Sequence, residues 1–330
     1  MTNIEPIEPF KPIGEAAKRV VSRAEKGRII EWDGKKITKA GRYSGLPIEV
    51  YHGDCTDGPG ISSSGLRTIE SQSPLHYWAK SYLNPDRDPE EAKDYFDFGR
   101  AAHTLLLGEG GFREKYAIRP TQWSDWRTKA AQEWREEQRA AGKSVLTDEQ
   151  VSAIKGIAKS LSSEPLVQAG LLQGSVEHSL IWKDEITGVW LKSRPDVIPA
   201  ADGTLVDVKT TTDASPQSVQ RTIASYDYAM QGALAGMGLK AVMDVDMTDF
   251  VLLFVEKSAP YAINVTVVDP DWIFWARKQI RRSIDTFARC IEKNEWPGYE
   301  SERTVSMPQW LKSKFEYEAQ NGLMSQESAA

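Results

Sequence analysis

The segment Leu205-Val206-Asp207-Val208-Lys209 constrains this chain more than any other. Side chains of a strand alternate between faces, so Val206 and Val208 share one face while Asp207 and Lys209 share the other. The valines suit a packed sheet, whereas an aspartate and a lysine placed among them need partners. Just upstream, Arg194-Pro195-Asp196 closes an apolar run, and the Ala-Ala-Asp-Gly turn at 200–203 lets a hairpin bring Asp196 beside Asp207. Two carboxylates with open positions between them suit Mg²⁺, a hard cation that takes oxygen ligands and keeps several waters. Lys209 is then placed to orient or help deprotonate a water and to stabilise developing negative charge. The competing explanation is a solvent-facing hairpin in which Asp207 and Lys209 form an ordinary ion pair.

Composition sets the outer bounds. With 330 residues, 40% hydrophobic and 27% charged, the chain is of globular type and long enough for one large domain or two smaller ones. No apolar run approaches the roughly 18 residues of a membrane span, and Met1–Val20 lacks the apolar core of a secretory signal, so a cytoplasmic address and no membrane partner are expected. Cys55 and Cys290 lie far apart and form no CxxC pair, which argues against a disulfide framework, a thiolate zinc site or an iron–sulfur cluster. The net charge of −6 does not exclude a nucleic acid, because DNA responds to local basic tracks, and Arg277-Lys278 with Arg281-Arg282 form one.

Along the chain, residues 1–41 read as a mobile extension, 42–311 as the folded domain and 312–330 as a frayed tail. The stretch from Gly65 to Leu83, opened by Ser62-Ser63-Ser64, reads as a helix with a serine cap, and Tyr95–Leu107 as a second helix. Residues 125–163 read as a helical insert with a fresh N-cap at Thr147. Two strands joined by Asp-Glu-Ile-Thr-Gly follow, the second running through Arg194-Pro195-Asp196-Val197-Ile198. Then come the Asp207 strand, a helix from Pro216 to Gly236, the strand from Phe250 and a long helix opened by Asp269-Pro270. Its expected apolar face holds Trp272, Trp275, Ile280, Ile284, Phe287 and Ile291. The expected architecture is α/β, a central mixed sheet flanked by helices.

Pro195-Asp196 followed by Asp207-Val208-Lys209 resembles the PD-(D/E)xK nuclease motif. Further stretches resemble one branch of that superfamily, the RecE-like exonucleases of phage recombination (exodeoxyribonuclease VIII): YHGDCTDGPGISSSGLRTIESQSPLHYWAK, FGRAAHTLLLG, VEHSLIWKDEITGVWLKSRPDV and DVKTTTDAS. The resemblance covers roughly residues 42 to 295. It implies a metal bound by His103, Asp196, Asp207 and the Val208 backbone, and catalysis by Asp196, Asp207 and Lys209 with Glu177 as a further acidic residue. His178, the rival histidine, falls on the opposite strand face from Glu177 if both lie in a strand. Taken alone, His103 reads as a hydrogen-bonded core residue and Glu177 as a surface carboxylate.

DNA contacts are implied for Ser62, Ser64, Arg67, Arg194, Tyr228 and Gln231. A helix start carrying serines suits a phosphate, although simple capping is the plainer explanation. Tyr228 and Gln231, three apart, share a helix face. Many related nucleases follow the glutamine with a tyrosine four residues on, where this chain has Ala235. Trp123 and Trp126 are candidates for stacking on bases.

The resemblance implies a Mg²⁺-dependent exonuclease, with Mn²⁺ substituting, that digests linear duplex DNA processively 5′→3′. It also implies a ring-shaped trimer or tetramer and a single-strand annealing partner of RecT type. The alternatives are another PD-(D/E)xK nuclease, of restriction or CRISPR-associated type, and a catalytically silent DNA-binding module.

Overall fold

Short strands alternate with helices along the chain. The computed structural model describes residues 27–88, 101, 104, 112–199, 203–299, 301 and 304–323. These fall into two compact units that divide after Pro297.

The first unit opens with β1 (Ile29–Glu31), β2 (Gly41–Ser44), α1 (Ile48–His52), β3 (Gly60–Ser62), α2 (Ser63–Ser71) and α3 (Pro74–Lys80). The insert holds α4 (Phe112–Lys115), β4 (Tyr116–Ile118), α5 (Lys129–Ala140), β5 (Ser144–Leu146), α6 (Asp148–Ser163) and α7 (Pro165–Gln168). Next come β6 (Gly174–Val176), β7 (Ser179–Lys183), β8 (Trp190–Ser193), β9 (Val197–Pro199) and β10 (Leu205–Thr211). The unit closes with α8 (Pro216–Ser225), α9 (Tyr228–Met243), β11 (Phe250–Glu256), β12 (Ile263–Val267) and α10 (Pro270–Lys293). The second unit carries α11 (Gln309–Gln320).

The α/β class is as expected, with its strands divided between two five-stranded mixed sheets ordered β1-β2-β7-β8-β3 and β12-β11-β10-β9-β6. A two-stranded parallel ribbon of β4 and β5 sits within the insert, which is therefore not wholly helical. In the second sheet β10 runs parallel to β11, with Asp207 opposite Leu252 and Lys209 opposite Phe254, and antiparallel to β9.

Several boundaries differ from the sequence reading. The run through Arg194-Pro195-Asp196 is not one strand: β8 ends at Ser193 in the first sheet and β9 begins at Val197 in the second. Proline has no amide to extend a ladder, so the chain changes sheets there and Asp196 opens β9 instead of closing β8. The helix expected from Pro216 to Gly236 is two, broken at Tyr226–Asp227, where Asp227 takes a left-handed φ of 51°. The stretch after Ser64 also divides, because Ser73 caps α3 by accepting from the His76 amide and Pro74 occupies its first turn. Thr147 and Gln150 form the capping box at α6. Ile29–Glu31 pairs with β2 and Ile37 is buried, so the sheet begins thirteen residues before position 42, while Gln309–Gln320 is helical where a frayed tail was expected. On α10 the buried face includes Ile273, Ala276, Ile280, Ile284 and Phe287, but Trp275 is 65% exposed.

The main core lies between the two sheets and α2, α9 and α10. Helix α9 is apolar on nearly every side and packs against both sheets and α10, as a helix without a polar face must. Small residues let it approach closely: a Cβ on Gly232 would stand 2.3 Å from the Phe250 ring, and one on Gly238 2.6 Å from the Trp182 ring. Sheet two is covered on both faces. Val208, Leu253 and Val255 pack on Ile157 and Leu161 of α6, while Leu205, Leu252 and Phe254 belong to the main core beneath α9.

Candidate active site

The alternation read from the sequence holds along β10, with a consequence that it did not show. The face bearing Asp207 and Lys209 meets helix α9 and not bulk solvent. Asp207 is 2% exposed and the Lys209 side chain 21%, which excludes the solvent-facing hairpin.

Between Ala229 and Leu239, Gln231 has the only side chain with a nitrogen or oxygen atom. It is aimed at the pair. Its Nε2 donates to Asp207 Oδ1 at 2.6 Å, while its Oε1 accepts from Lys209 Nζ at 3.3 Å. Lys209 also forms an ion pair with Asp207 Oδ2, a buried oxygen that receives no hydrogen bond of ordinary geometry from the described residues. One turn back on α9, the Tyr228 ring lies with its centroid 4.5 Å from Lys209 Nζ and 5.7 Å from Arg67 Cζ. Arg67 in turn donates to the Tyr226 carbonyl at 2.6 Å, which ties α2 to the break before α9. Arg67, Lys209, Tyr228 and Gln231 are thus brought to Asp207 from three elements.

Asp196 reaches the same place from the switch between the sheets. Its Oδ2 accepts from the Val208 amide at 2.6 Å. The β9–β10 ladder pairs only Val206 with Val197, so this carboxylate continues the pairing by one residue and fixes Asp196 beside Asp207 and Lys209. At 8% exposure Asp196 is buried too. Burial alone would lower the Lys209 pKa, but the charges of Asp207 and Asp196, the Tyr228 ring and the hydrogen bond to Asp207 outweigh it, and the net direction is upward. Lys209 is therefore a cation at neutral pH, suited to orienting groups and stabilising negative charge.

Glu177 departs from the sequence reading. It is not in a strand but in the turn between β6 and β7, with a left-handed φ of 55°, so strand alternation does not separate it from His178. Its amide donates to the Asp196 carbonyl at 3.0 Å, which places its backbone at the same switch. His178 accepts at Nδ1 from Arg42 Nε at 2.9 Å; burial, with Arg42 and Arg194 nearby, pushes its pKa down to about 4. His103 lies outside the described residues. No cluster of three or more His, Cys, Asp or Glu able to hold a metal occurs among the described residues.

The remaining residues expected to contact DNA divide. Ser62 is the residue before α2 but makes no side-chain cap bond; its hydroxyl meets that of Ser64 at 3.0 Å, so the expected serine cap is absent. Arg194 points inward, donating to Ser179 Oγ at 2.8 Å and the Leu46 carbonyl at 2.7 Å, with the Tyr51 ring centroid 4.5 Å away. Ala235 is buried in the core of α9. In the basic track of α10, Arg281 pairs with Asp184 and Asp285, and Arg282 with Glu70. Local pattern does not encode the amide bridge made by Gln231 or the cation stack on Tyr228, although an isolated glutamine in an apolar helix is a usable signal.

Residues 62–306 match the family described as the PDDEXK-like domain of unknown function (DUF3799). The chain belongs to this family. The match begins at Ser62 and contains Arg67, Asp196, Asp207, Lys209 and Gln231. Among solved structures, a crystal structure from Eubacterium rectale described as a "putative exonuclease" matches over 81% of this chain and 94% of that one, at 11% identity and a TM-score of 0.52. That similarity establishes a shared fold. A second structure, of the protein SSO0001, covers 57% of this chain and 86% of that one at 13% identity, and its TM-score of 0.26 supports no inference. No curated protein matches. Among the described residues no helix is long and apolar enough to cross a membrane.

Proposed function

We propose that this chain is a nuclease, a Mg²⁺-dependent exodeoxyribonuclease of RecE type that hydrolyses linear double-stranded DNA. The observation that carries the reading is the meeting of Asp196, Asp207 and Lys209 around Val208, held by Gln231 in an otherwise apolar setting.

The donors fit a hard divalent cation. Asp207, Asp196 and the Val208 carbonyl supply only oxygen, and Asp207 Oδ2 is buried with the Lys209 ammonium against it. When bound, Mg²⁺ would polarise the phosphodiester and lower the pKa of a water. The rest of the chemistry belongs to the chain. Gln231 fixes the orientation of the Asp207 carboxylate and of the Lys209 ammonium together. Lys209 then offers a positive charge where the pentacoordinate phosphate gains negative charge. Arg67 and Tyr228 form the adjoining wall, with Ser62 and Ser64 further back along α2, a surface suited to the DNA backbone.

Dependence on an end, 5′→3′ polarity, a ring-shaped trimer or tetramer, and delivery of the 3′ strand to an annealing protein of RecT type follow from the motif resemblance. Incubation with linear and covalently closed circular duplex, in Mg²⁺ or EDTA, tests the substrate class. Linear DNA is expected to be degraded in Mg²⁺ alone while closed circles survive. Cutting of closed circles would overturn the exonuclease reading, and product from 5′-labelled against 3′-labelled ends reads the polarity.

A further inference from the structure

The net charge of −6 conceals a local reversal. Across the insert, from Phe112 to Gln168, the chain carries ten Lys and Arg against eight Asp and Glu, with the Lys and Arg excess confined to the part before Asp148. Three partly exposed tryptophans stand on this basic insert, away from the Asp207 site in sequence. Trp126 and Trp134 lie nearly parallel, 10° apart with centroids at 6.3 Å, and Trp123 meets Trp134 at 5.8 Å. Arg119 and Arg135 place their guanidinium carbons 5.5 Å and 5.4 Å from the Trp126 ring centroid. Beside them Trp126, Gln132, Arg135 and Glu136 line an open cavity of about 330 Å³.

Arg119 is the informative member. It is 7% exposed, yet its Nε has no hydrogen-bond partner among the described residues, and its ion pair with Glu149 spans 3.6 Å to a side chain that is itself exposed. A buried guanidinium with an idle donor costs free energy that an anion would recover. The three indoles beside it are only partly buried and suit a flat aromatic group. Unpaired bases stack on such faces while their phosphates meet arginine, whereas a duplex keeps its base faces covered. A partner protein would satisfy the tryptophans, but Arg119 and Arg135 gathered at the Trp126 ring favour a polyanion.

We propose that the insert binds single-stranded nucleic acid, its bases on the Trp126 cluster and a phosphate on Arg119. This deepens the nuclease reading and rests on it for one point only, the origin of the strand as the undigested product of the reaction.

The test uses the full-length protein in EDTA, where no metal-dependent cleavage occurs, and fluorescein-labelled oligo-dT of about 20 nucleotides, longer than one site. A saturable rise in anisotropy is expected, competed by unlabelled oligo-dT better than by a duplex of equal length. Trp126→Ala is expected to weaken binding roughly 5- to 150-fold, and Trp126→Phe to restore most of it. Thermal melting checks that each variant folds, and Trp123→Ala replaces Trp126→Ala if that variant does not. Unchanged affinity in the folded alanine variant, equal competition by duplex, or no binding would each overturn the proposal. A protein that digests linear DNA in Mg²⁺ yet fails this assay overturns the second site alone; one that binds oligo-dT yet never cleaves overturns the nuclease reading alone.

Discussion

At the scale of single residues, the amide of Gln231 sets how Asp207 and Lys209 face each other, since one end donates to the carboxylate and the other accepts from the ammonium. Replacing it with leucine keeps the volume and removes both bonds. Gln231→Leu should leave Asp207 Oδ1 short of a donor, lowering stability by about 1–3 kcal/mol in urea unfolding. The rate on linear duplex should fall on the order of 10²-fold with KM little changed, as misplacement of a reacting group does. A rate close to wild type would show that the bridge does not position the pair. The meeting of Asp196, Asp207 and Lys209 was legible because strand alternation and residue type suffice to read it. Gln231's bonds were not, because they depend on where α9 crosses β10, and no local periodicity encodes that crossing. Glu177 was misplaced for a related reason: a left-handed residue between two strands looks, in sequence, like one more strand residue.

At the scale of elements, α9 acts as a wedge whose Gly232 and Gly238 face aromatic rings, one in each sheet. Phe250 is fully enclosed, so a side chain at 232 finds no slack. Gly232→Val should therefore destabilise the fold by about 1–3 kcal/mol or more through overpacking, and should reduce activity by moving Gln231, its neighbour. A denaturation midpoint equal to that of wild type would contradict the tight approach. The existence of β10, β11, α9 and α10 was readable from apolar runs and caps. Their division was not. The switch at Arg194-Pro195-Asp196 and the break at Tyr226-Asp227 interrupt otherwise continuous patterns, and both place site residues. Trp275 shows the converse: a helical spacing of apolar residues includes it in the packed face, yet tertiary contacts leave it outside.

At the scale of the molecule, Arg42 on β2 bonds both His178 and Ser175 of β6, so it links the first sheet to the second. His178 must stay neutral to accept from Arg42, and its folded pKa of about 4 lies below the unbound value of 6.5. Between those two values the unfolded chain binds a proton that the native one refuses. Its contribution is complete above pH 6.5 and is lost progressively as pH falls toward 4. Melting temperature should therefore decline on acidification through this window, and more steeply than in His178→Gln, which accepts without titrating. Parallel pH profiles for the two proteins would argue against the linkage. The family match from 62 to 306 takes in the whole second sheet and β7 and β8 of the first, so it reaches well beyond the hairpin that carries Asp207.

The most direct measurement compares wild type with Asp207→Ala on linear duplex DNA in Mg²⁺. Degradation by the wild type, lost in EDTA and reduced at least on the order of 10³-fold in a variant whose melting shows a folded protein, is the expected result. Digestion by folded Asp207→Ala at the wild-type rate would contradict the assignment of this carboxylate as the centre of the site.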